Sequence, residues 1–574
     1  MMYNGNPVSA GIATGPAYLY TPFKPVVEKK EIDEAQVPQA LAQYEDVKGK
    51  ARAELDAIRD KLEKDDPEKA KIFIAHQDIL EDPAMDEEIR EVIEEDQLSP
   101  ESAIAKVYDK FARLLSKAED DLIRERVADI NDVKNRLLRI WFGVPEKNLS
   151  TLERPVVVVA HDLFPSDTAT LDRSKVLAIV TEIGGATSHS AIIARSYEIP
   201  ALLGVPGVMD LLTDGETVVV DAVEGKLFTQ ADDATLDLYA KKREEYLVKA
   251  ADLKKYRNVK PVTKDGVHIA VHLNIGSAED KDLAGQDCAD GVGLFRSEFL
   301  YMGRPELPSE EEQVAIYTKA LDTFGADRPV TLRTLDIGGD KKLDSMELPV
   351  EDNPFLGLRA LRLCFAHPDV FKTQLRAALR AGTHGALWIM FPMVGSMDDI
   401  RRAKGMVNEV KKELDAEGVP YGDHVKIGIM IEIPSIAMIS DIAAKEVDFA
   451  SIGTNDLCQY LTAVDRLNPT VSSYYQTYHP AMFRLIGQVV RDFNEAGKPV
   501  SVCGEMGGDP LSAAVLIGLG FRKLSMGVAS VPSIKKLITG LTIPRAEALA
   551  RTVVDMSSAE EVEKYLRQEL ADLL

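Results

Sequence analysis

With 574 residues, 45% apolar and 28% charged, the chain has the length of two to four domains and the composition of a soluble protein. Its 68 basic against 93 acidic side chains leave a formal charge of -25, which argues against nonspecific contact with nucleic acid or an anionic membrane and suits basic partners. No apolar run approaches the roughly 20 residues of a membrane span, the N-terminus MMYNGNPVSAG has no secretory pattern, and Cys288, Cys364, Cys458 and Cys503 lack CxxC spacing, so a cytoplasmic protein without disulfides or zinc is expected.

Residues 1–20 mix Gly, Pro, Val, Ile and Tyr and predict short strands with turns. From Ile32 to about Phe142 the sequence is rich in Glu, Lys, Ala and Leu, with Gly49 its only glycine. Helices are predicted over Pro38 to Lys64, Pro67 to Glu95 with an interruption near Asp82 and Pro83, and Pro100 to Trp141. Ile104, Phe111, Leu115 and Leu122 recur at helical spacing, as in a helical-bundle core. Strand-like runs return at Pro155 to Ala160, Val176 to Ile183 and Thr217 to Asp221. The opening 20 residues have no sheet of their own, so they are expected to join this later one, with the helices inserted between. Residues 233–258 are charged and helix-prone with little apolar stripe, as in a solvent-bridging connector.

Ile183 to Pro200 reads IGGATSHSAIIARSYEIP. An apolar run precedes two glycines, which let a ligand approach the backbone, and a short helix follows. His189 falls in its first turn beside Thr187, Ser188 and Ser190. Unpaired amides, hydroxyls and a nucleophilic imidazole describe a phosphate site, and the histidine reads either as structural or as a phosphoryl acceptor.

Beyond Pro261, strand candidates appear at Val267 to Ile275, Gly291 to Phe295, Val330 to Leu335, Ala386 to Val394, Val425 to Ile433, Val447 to Ile452, Pro499 to Cys503 and Lys523 to Met526. With helix-like sequence between most pairs, they predict a (β/α)8 TIM barrel, whose reacting groups project from the C-terminal strand ends. There stand Arg296, then Arg333 running on to Asp336, Asp340 and Lys341, then Glu432, then Asn455 and Asp456 with Arg466 following, then Cys503 and Glu505. Convergent guanidinium groups beside Glu432 and Asp456 suit a small polyanion held by arginines and by Mg2+. Cys503 reads either as a small hydrophobe or as a thiol that passes a proton to carbon. His272, inside the first barrel strand, reads as a satisfied core histidine.

GGATSHSAIIARSYEIPALLG resembles the phosphohistidine motif of enzyme I of the phosphoenolpyruvate:sugar phosphotransferase system. GIMIEIPSIAMISDIAAKEVDFASIGTNDLCQYLTAVDRLNP resembles the same family's signature for binding phosphoenolpyruvate (PEP), and RTLDIGGDK, NPFLGLRALR, IMFPMV and VCGEMGGDP match it in order. The resemblance covers nearly the whole chain, the helical segment most loosely. It implies that His189 takes the phosphoryl group of PEP on Nε2 and that Thr168 orients the ring. Arg296, Arg333, Arg359, Arg466 and Asn455 would grip PEP, Glu432 and Asp456 would ligate Mg2+, and Cys503 would protonate the methylene carbon of enolpyruvate to give pyruvate. It further implies a swivelling phosphohistidine domain from residues 1–20 plus 146–230, an inserted helical subdomain at 21–145 that docks the phosphocarrier HPr, a linker helix at 231–260, and a PEP-binding barrel at 261–574 that forms a homodimer. One departure is visible: many members carry Arg where this chain has Ala186, leaving Arg195 as the nearby cation.

Two rivals share part of the pattern. A PEP synthase or pyruvate phosphate dikinase needs an additional nucleotide-grasp domain, for which residues 1–150 have neither the length nor the strand content. A non-catalytic regulatory paralogue predicts broken catalytic positions, and none is broken.

Overall fold

The structure is a computed structural model and describes residues 1–21, 27–65, 67–115, 121–144, 149, 152–163, 171–184, 189–197, 199–302, 304, 306–338, 343, 345–346, 348–349 and 351–574. It divides into two compact units, Met1–Ala250 and Ala251–Leu574.

The first unit contains strands β1 (Met2–Asn4), β2 (Asn6–Ser9), β3 (Ile12–Tyr20), β4 (Val156–Ala160), β5 (Val176–Thr181), β6 (Ala201–Leu203), β7 (Thr217–Asp221) and β8 (Lys226–Phe228). They form one sheet in the order β1-β8-β7-β3-β4-β5-β6-β2, so the first strands of the chain join the later ones. Its centre, β3 to β6, is parallel, and every residue of β4, VVVVA, is buried. A continuous apolar run, not an alternating one, is what a strand covered on both faces requires.

Between β3 and β4 lie helices Val37–Asp65, Pro67–Leu80, Pro83–Glu94, Pro100–Leu115 and Asp121–Trp141. They share a separate core that includes Tyr44, Leu55, Ile89, Ile104, Val107 and Leu137. The interruption expected near Asp82 is an N-cap: Asp82 Oδ1 accepts from the amides of Ala84 at 2.9 Å and Met85 at 3.0 Å, and Pro83 occupies the first helical position. The single helix expected from Pro100 to Trp141 is instead two helices packed on each other. Lys134 Nζ lies 2.7 Å from Asp109 Oδ1, whereas a continuous helix would separate those residues by roughly 37 Å.

The helix Asp233–Lys254 also departs from expectation. Tyr239 is only 3% exposed, packs on Phe228 with ring centroids 4.8 Å apart, and joins Ile12 and Val219 in a small core. Leu236 and Tyr246 of the same helix pack against this core, so a short apolar edge docks the helix on the sheet.

The second unit is a closed barrel of parallel strands: β9 (Ala270–Ile275), β10 (Val292–Arg296), β11 (Val330–Arg333), β12 (Leu387–Phe391), β13 (Lys426–Ile431), β14 (Phe449–Ile452), β15 (Val500–Val502) and β16 (Lys523–Met526), with β16 pairing back to β9. This is the TIM barrel expected from the sequence. Helices pack around it and share its outer core, while Leu294, Met390, Met430, Phe449 and Cys503 form a second, small cluster. His272 is buried, with its pKa pushed well below the usual imidazole range by burial and then by Lys523. It is a neutral core histidine, but its Nδ1 has no hydrogen-bond partner among the described residues, so it is not the fully satisfied one expected. No helix among the described residues is long and apolar enough to cross a membrane.

Candidate active site at the barrel mouth

Parallel pairing places Arg296, the last residue of β10, beside Arg333, the last of β11. Two cations become neighbours, and burial followed by Arg333 lowers the pKa of Arg296. Arg333 is 6% exposed, with ion pairs to Glu298 and, at 2.9 Å, to Asp336. Arg359, 1% exposed, reaches Asp336 at 3.0 Å, Asp456 at 3.4 Å and the Tyr460 hydroxyl at 3.2 Å. Arg466 approaches Asp456 at 3.7 Å. Among the described residues, the Nε donors of Arg333 and Arg359 remain without partners. Buried unpaired donors on cations are costly unless an anion meets them.

These charges hold one another in place. Glu298→Ala would leave Arg333 short of one buried partner and should destabilise the fold by about 3–5 kcal/mol. A lowered urea midpoint with an unchanged m-value would register the loss; an unchanged midpoint would contradict it.

Glu432 follows β13 and is buried. Its Oε1 accepts the Met393 amide at 2.6 Å, while Oε2 has no partner among the described residues. Its pKa is pushed up to about 8, first by burial, then by Asp456 and Asp336, with Arg333 and Arg359 opposing. A Cβ on Gly453 would lie 2.7 Å from that free oxygen, so only glycine leaves room there. An orphaned carboxylate oxygen beside a second carboxylate fits a hard divalent cation. Among the described residues no cluster of three His, Cys, Asp or Glu side chains is built for a metal. A two-carboxylate set suits Mg2+, which keeps several waters and takes substrate oxygens.

Cys503 and Asn455 line a cleft of about 400 Å3, together with Arg296, Asn274 and Glu505. Asn455 Oδ1 accepts the Glu505 amide at 3.0 Å, which fixes the side-chain orientation and leaves its NH2 end for the cleft. Cys503 is 2% exposed and burial pushes its thiol up to about 11, so it stays protonated at neutral pH. A Cβ on Gly504 would lie 2.7 Å from the Thr454 amide nitrogen, so the segment after β15 passes close against the start of the helix Thr454–Thr462.

Among the described residues of this unit, three non-glycine residues have positive φ: Ala360 at 50°, Met393 at 52° and Ala463 at 55°. Ala360 follows Arg359, Met393 holds Glu432, and Ala463 precedes the Arg466 loop. Backbone strain of this kind persists where surrounding structure over-determines it, as around a built site.

In the first unit, the helix His189–Ser196 begins at His189. The Ser190 hydroxyl lies 3.1 Å from Asp162 Oδ1 and 3.2 Å from the Leu163 carbonyl, fixing the helix start, and Gly184 has a φ of 117°. Arg195 is exposed in the last turn. The His189 imidazole, Thr168, Ala186, Asp340 and Lys341 lie outside the described residues.

Three family models match the chain: PEP-utilising enzyme, N-terminal, at residues 4–126; PEP-utilising enzyme, mobile domain, at 152–225; and PEP-utilising enzyme, PEP-binding domain, at 250–543. Phosphoenolpyruvate-protein phosphotransferase of Priestia megaterium is 42% identical over 98% of this chain and 98% of its own. The protein of the same name from Bacillus subtilis (strain 168) is 40% identical, again over 98% of both chains. The chain belongs to the phosphoenolpyruvate-protein phosphotransferase family. A solution NMR structure of Enzyme I (nEIt) is 38% identical, covering 42% of this chain and 99% of that one, with a TM-score of 0.40.

For a member of that enzyme family, the barrel brings Arg296, Arg333, Arg359, Glu432, Asn455, Asp456, Arg466 and Cys503 to one mouth, in hydrogen-bonding or electrostatic contact. Three residues that hold them went unread in the sequence. Glu298 pairs with Arg333, and Tyr460 accepts from Arg359. Asn274 donates to the Cys503 carbonyl at 2.8 Å and accepts from Ser525 Oγ at 2.6 Å. A polar amide in the otherwise apolar AVHLNI strand was the available signal for Asn274.

Proposed function

We propose that the chain takes the phosphoryl group of PEP onto His189 and passes it to a histidine of the phosphocarrier HPr, the first step of phosphotransferase sugar uptake in the cytoplasm. The observation that carries this reading is the buried mouth, where, among the described residues, the Nε donors of Arg333 and Arg359 and the Oε2 of Glu432 all lack a partner. Such a site is complete only when a polyanion and a cation enter together.

In this reading, Arg296, Arg333, Arg359, Arg466 and Asn455 hold the carboxylate and phosphate of PEP, aligning the phosphorus with the His189 lone pair. Glu432 and Asp456 would hold Mg2+. Bound there, the ion would supply positive charge against the polyanion as the P–O bond loosens. The N–P bond forms as the P–O bond breaks, leaving the enolate of pyruvate. Cys503, kept protonated by burial, delivers its proton to C3 and makes the transfer favourable. Residues 1–20 with 146–230 form the domain that carries His189, with Thr168 orienting its ring. Residues 21–145 dock HPr, the helix of 231–260 links, and 261–574 form the PEP-binding, homodimeric barrel.

The test is incubation with radiolabelled PEP and Mg2+. The expected result is a protein-bound label, stable to base and labile to acid, formed with one pyruvate per label. Failure to label would overturn the proposal, and labelling from ATP instead would favour a PEP synthase-like reaction.

A further inference from the structure

Beneath Cys503 the barrel holds a short file of hydroxyls. Parallel pairing of β14 with β15 sets Ser451 beside Ser501, and both are buried, at 0% and 6% exposed. Ser501 Oγ has two acceptors in reach, Ser451 Oγ at 3.0 Å and the Ala450 carbonyl at 3.5 Å, and the shorter contact is the one to Ser451. The Ser451 hydroxyl also favours the thiolate form of Cys503, which stands two residues beyond Ser501. In the resting thiol, the S–H group faces the Ile452 carbonyl at 3.6 Å.

That file bears on a problem which proton transfer creates. When the thiol protonates carbon, the S–H bond breaks and a C3–H bond forms from the enolate double bond, while the enolate oxygen becomes the ketone of pyruvate. A thiolate remains, walled by Leu294, Met390, Met430 and Phe449, and burial opposes that charge. The charged groups facing it are Glu432, which opposes it, and Arg333 and Arg296, which favour it. The arginines are needed by the substrate anion. Ser451 is bound to no substrate and offers a hydroxyl directly.

We infer that Ser451, backed by Ser501, is a positioning residue for the carbon-protonation step: its hydroxyl donates to Cys503 Sγ and stabilises the thiolate left when the proton passes to C3. With its lone pair occupied by the Ser501 proton, the Ser451 hydroxyl is turned to donate towards sulfur. Water entering after pyruvate departs restores the thiol. The inference rests on reading Cys503 as the proton donor.

The experiment separates phosphoenzyme formation from pyruvate formation in rapid-quench assays of the wild type, Ser451→Ala, Ser451→Thr, Ser501→Ala and Cys503→Ala. A hydrogen bond to a charged group is worth about 1.5–3 kcal/mol, so Ser451→Ala should slow pyruvate formation roughly 10- to 100-fold with little change in KM for PEP. Ser451→Thr, which keeps the hydroxyl, should restore the rate, and Ser501→Ala should show a smaller loss. The Raman S–H band of Cys503, assigned by its absence in Cys503→Ala, should shift in Ser451→Ala and return in Ser451→Thr. A purely structural role would not produce that pattern. An unshifted band, or a rate loss that threonine fails to repair, overturns the inference while leaving the proton-donor reading intact. Undiminished pyruvate formation by Cys503→Ala would overturn that reading and the inference with it.

Discussion

His189→Ala is expected to reduce acid-labile labelling from PEP to background and to stop pyruvate formation, with the protein still folded. The backbone can bear the change: His189 is the first residue of its helix, where the amide lacks an intrahelical acceptor, and alanine is the best helix former. The chemistry cannot. Without an imidazole nitrogen to accept the phosphoryl group, arginines at the barrel mouth bind PEP but have nowhere to send it. Binding and transfer should therefore separate. Calorimetry should still detect PEP binding to His189→Ala, while filter assays after acid and alkaline quenching should find no base-stable label. Label persisting in the variant would place the acceptor elsewhere and remove His189 from the mechanism.

Glu432→Gln should cost about 10²- to 10³-fold in turnover, the scale seen when one preorganised electrostatic partner is removed. Glutamine keeps an oxygen that can accept the Met393 amide but has no proton to release and so cannot become the carboxylate that Mg2+ would require beside Asp456. Its effect on stability should run the other way. The folded protein holds a proton on Glu432 up to about 8, whereas an ordinary glutamate releases it near 4.5. Folded protein thus binds more protons than unfolded protein over that window, and stability falls as pH rises through it. With a chelator present, wild-type melting temperature should decline from the acid side of the window to the alkaline side, and the variant's decline should be shallower. Parallel curves would show that Glu432 is not the group responsible.

Much of the barrel was legible because each strand is a short, mainly apolar run and several of those runs end in a polar or charged cluster. Lys523 to Met526 has the same bounds in sequence and structure. The division of Pro100 to Trp141 was not legible, since the five residues between its two helices, SKAED, contain neither glycine nor proline. Docking of the helix Asp233–Lys254 was not legible either, because only Leu236, Tyr239 and Tyr246 carry it, too few for a clear stripe in a charged sequence. At the mouth, the strand-end rule reached Arg296, Arg333, Glu432, Asn455, Asp456 and Cys503. It could not reach Arg359, which lies in the connection after β11 and entered only through resemblance. Nor could it reach Glu298, whose partner is on the neighbouring strand, because that pairing depends on the register of β10 against β11 and not on local spacing.

The close approach of Gly504 to Thr454 ties the loop bearing the thiol to the first turn of the helix Thr454–Thr462, which bears Asn455 and Asp456. A displacement that lifts sulfur away from the substrate carbon must also move the groups that hold its phosphate. Misplaced PEP then fails at bond cleavage and at protonation together. In this proposed cycle, such synchrony limits the escape of unprotonated enol, a loss that two independently moving segments could not prevent.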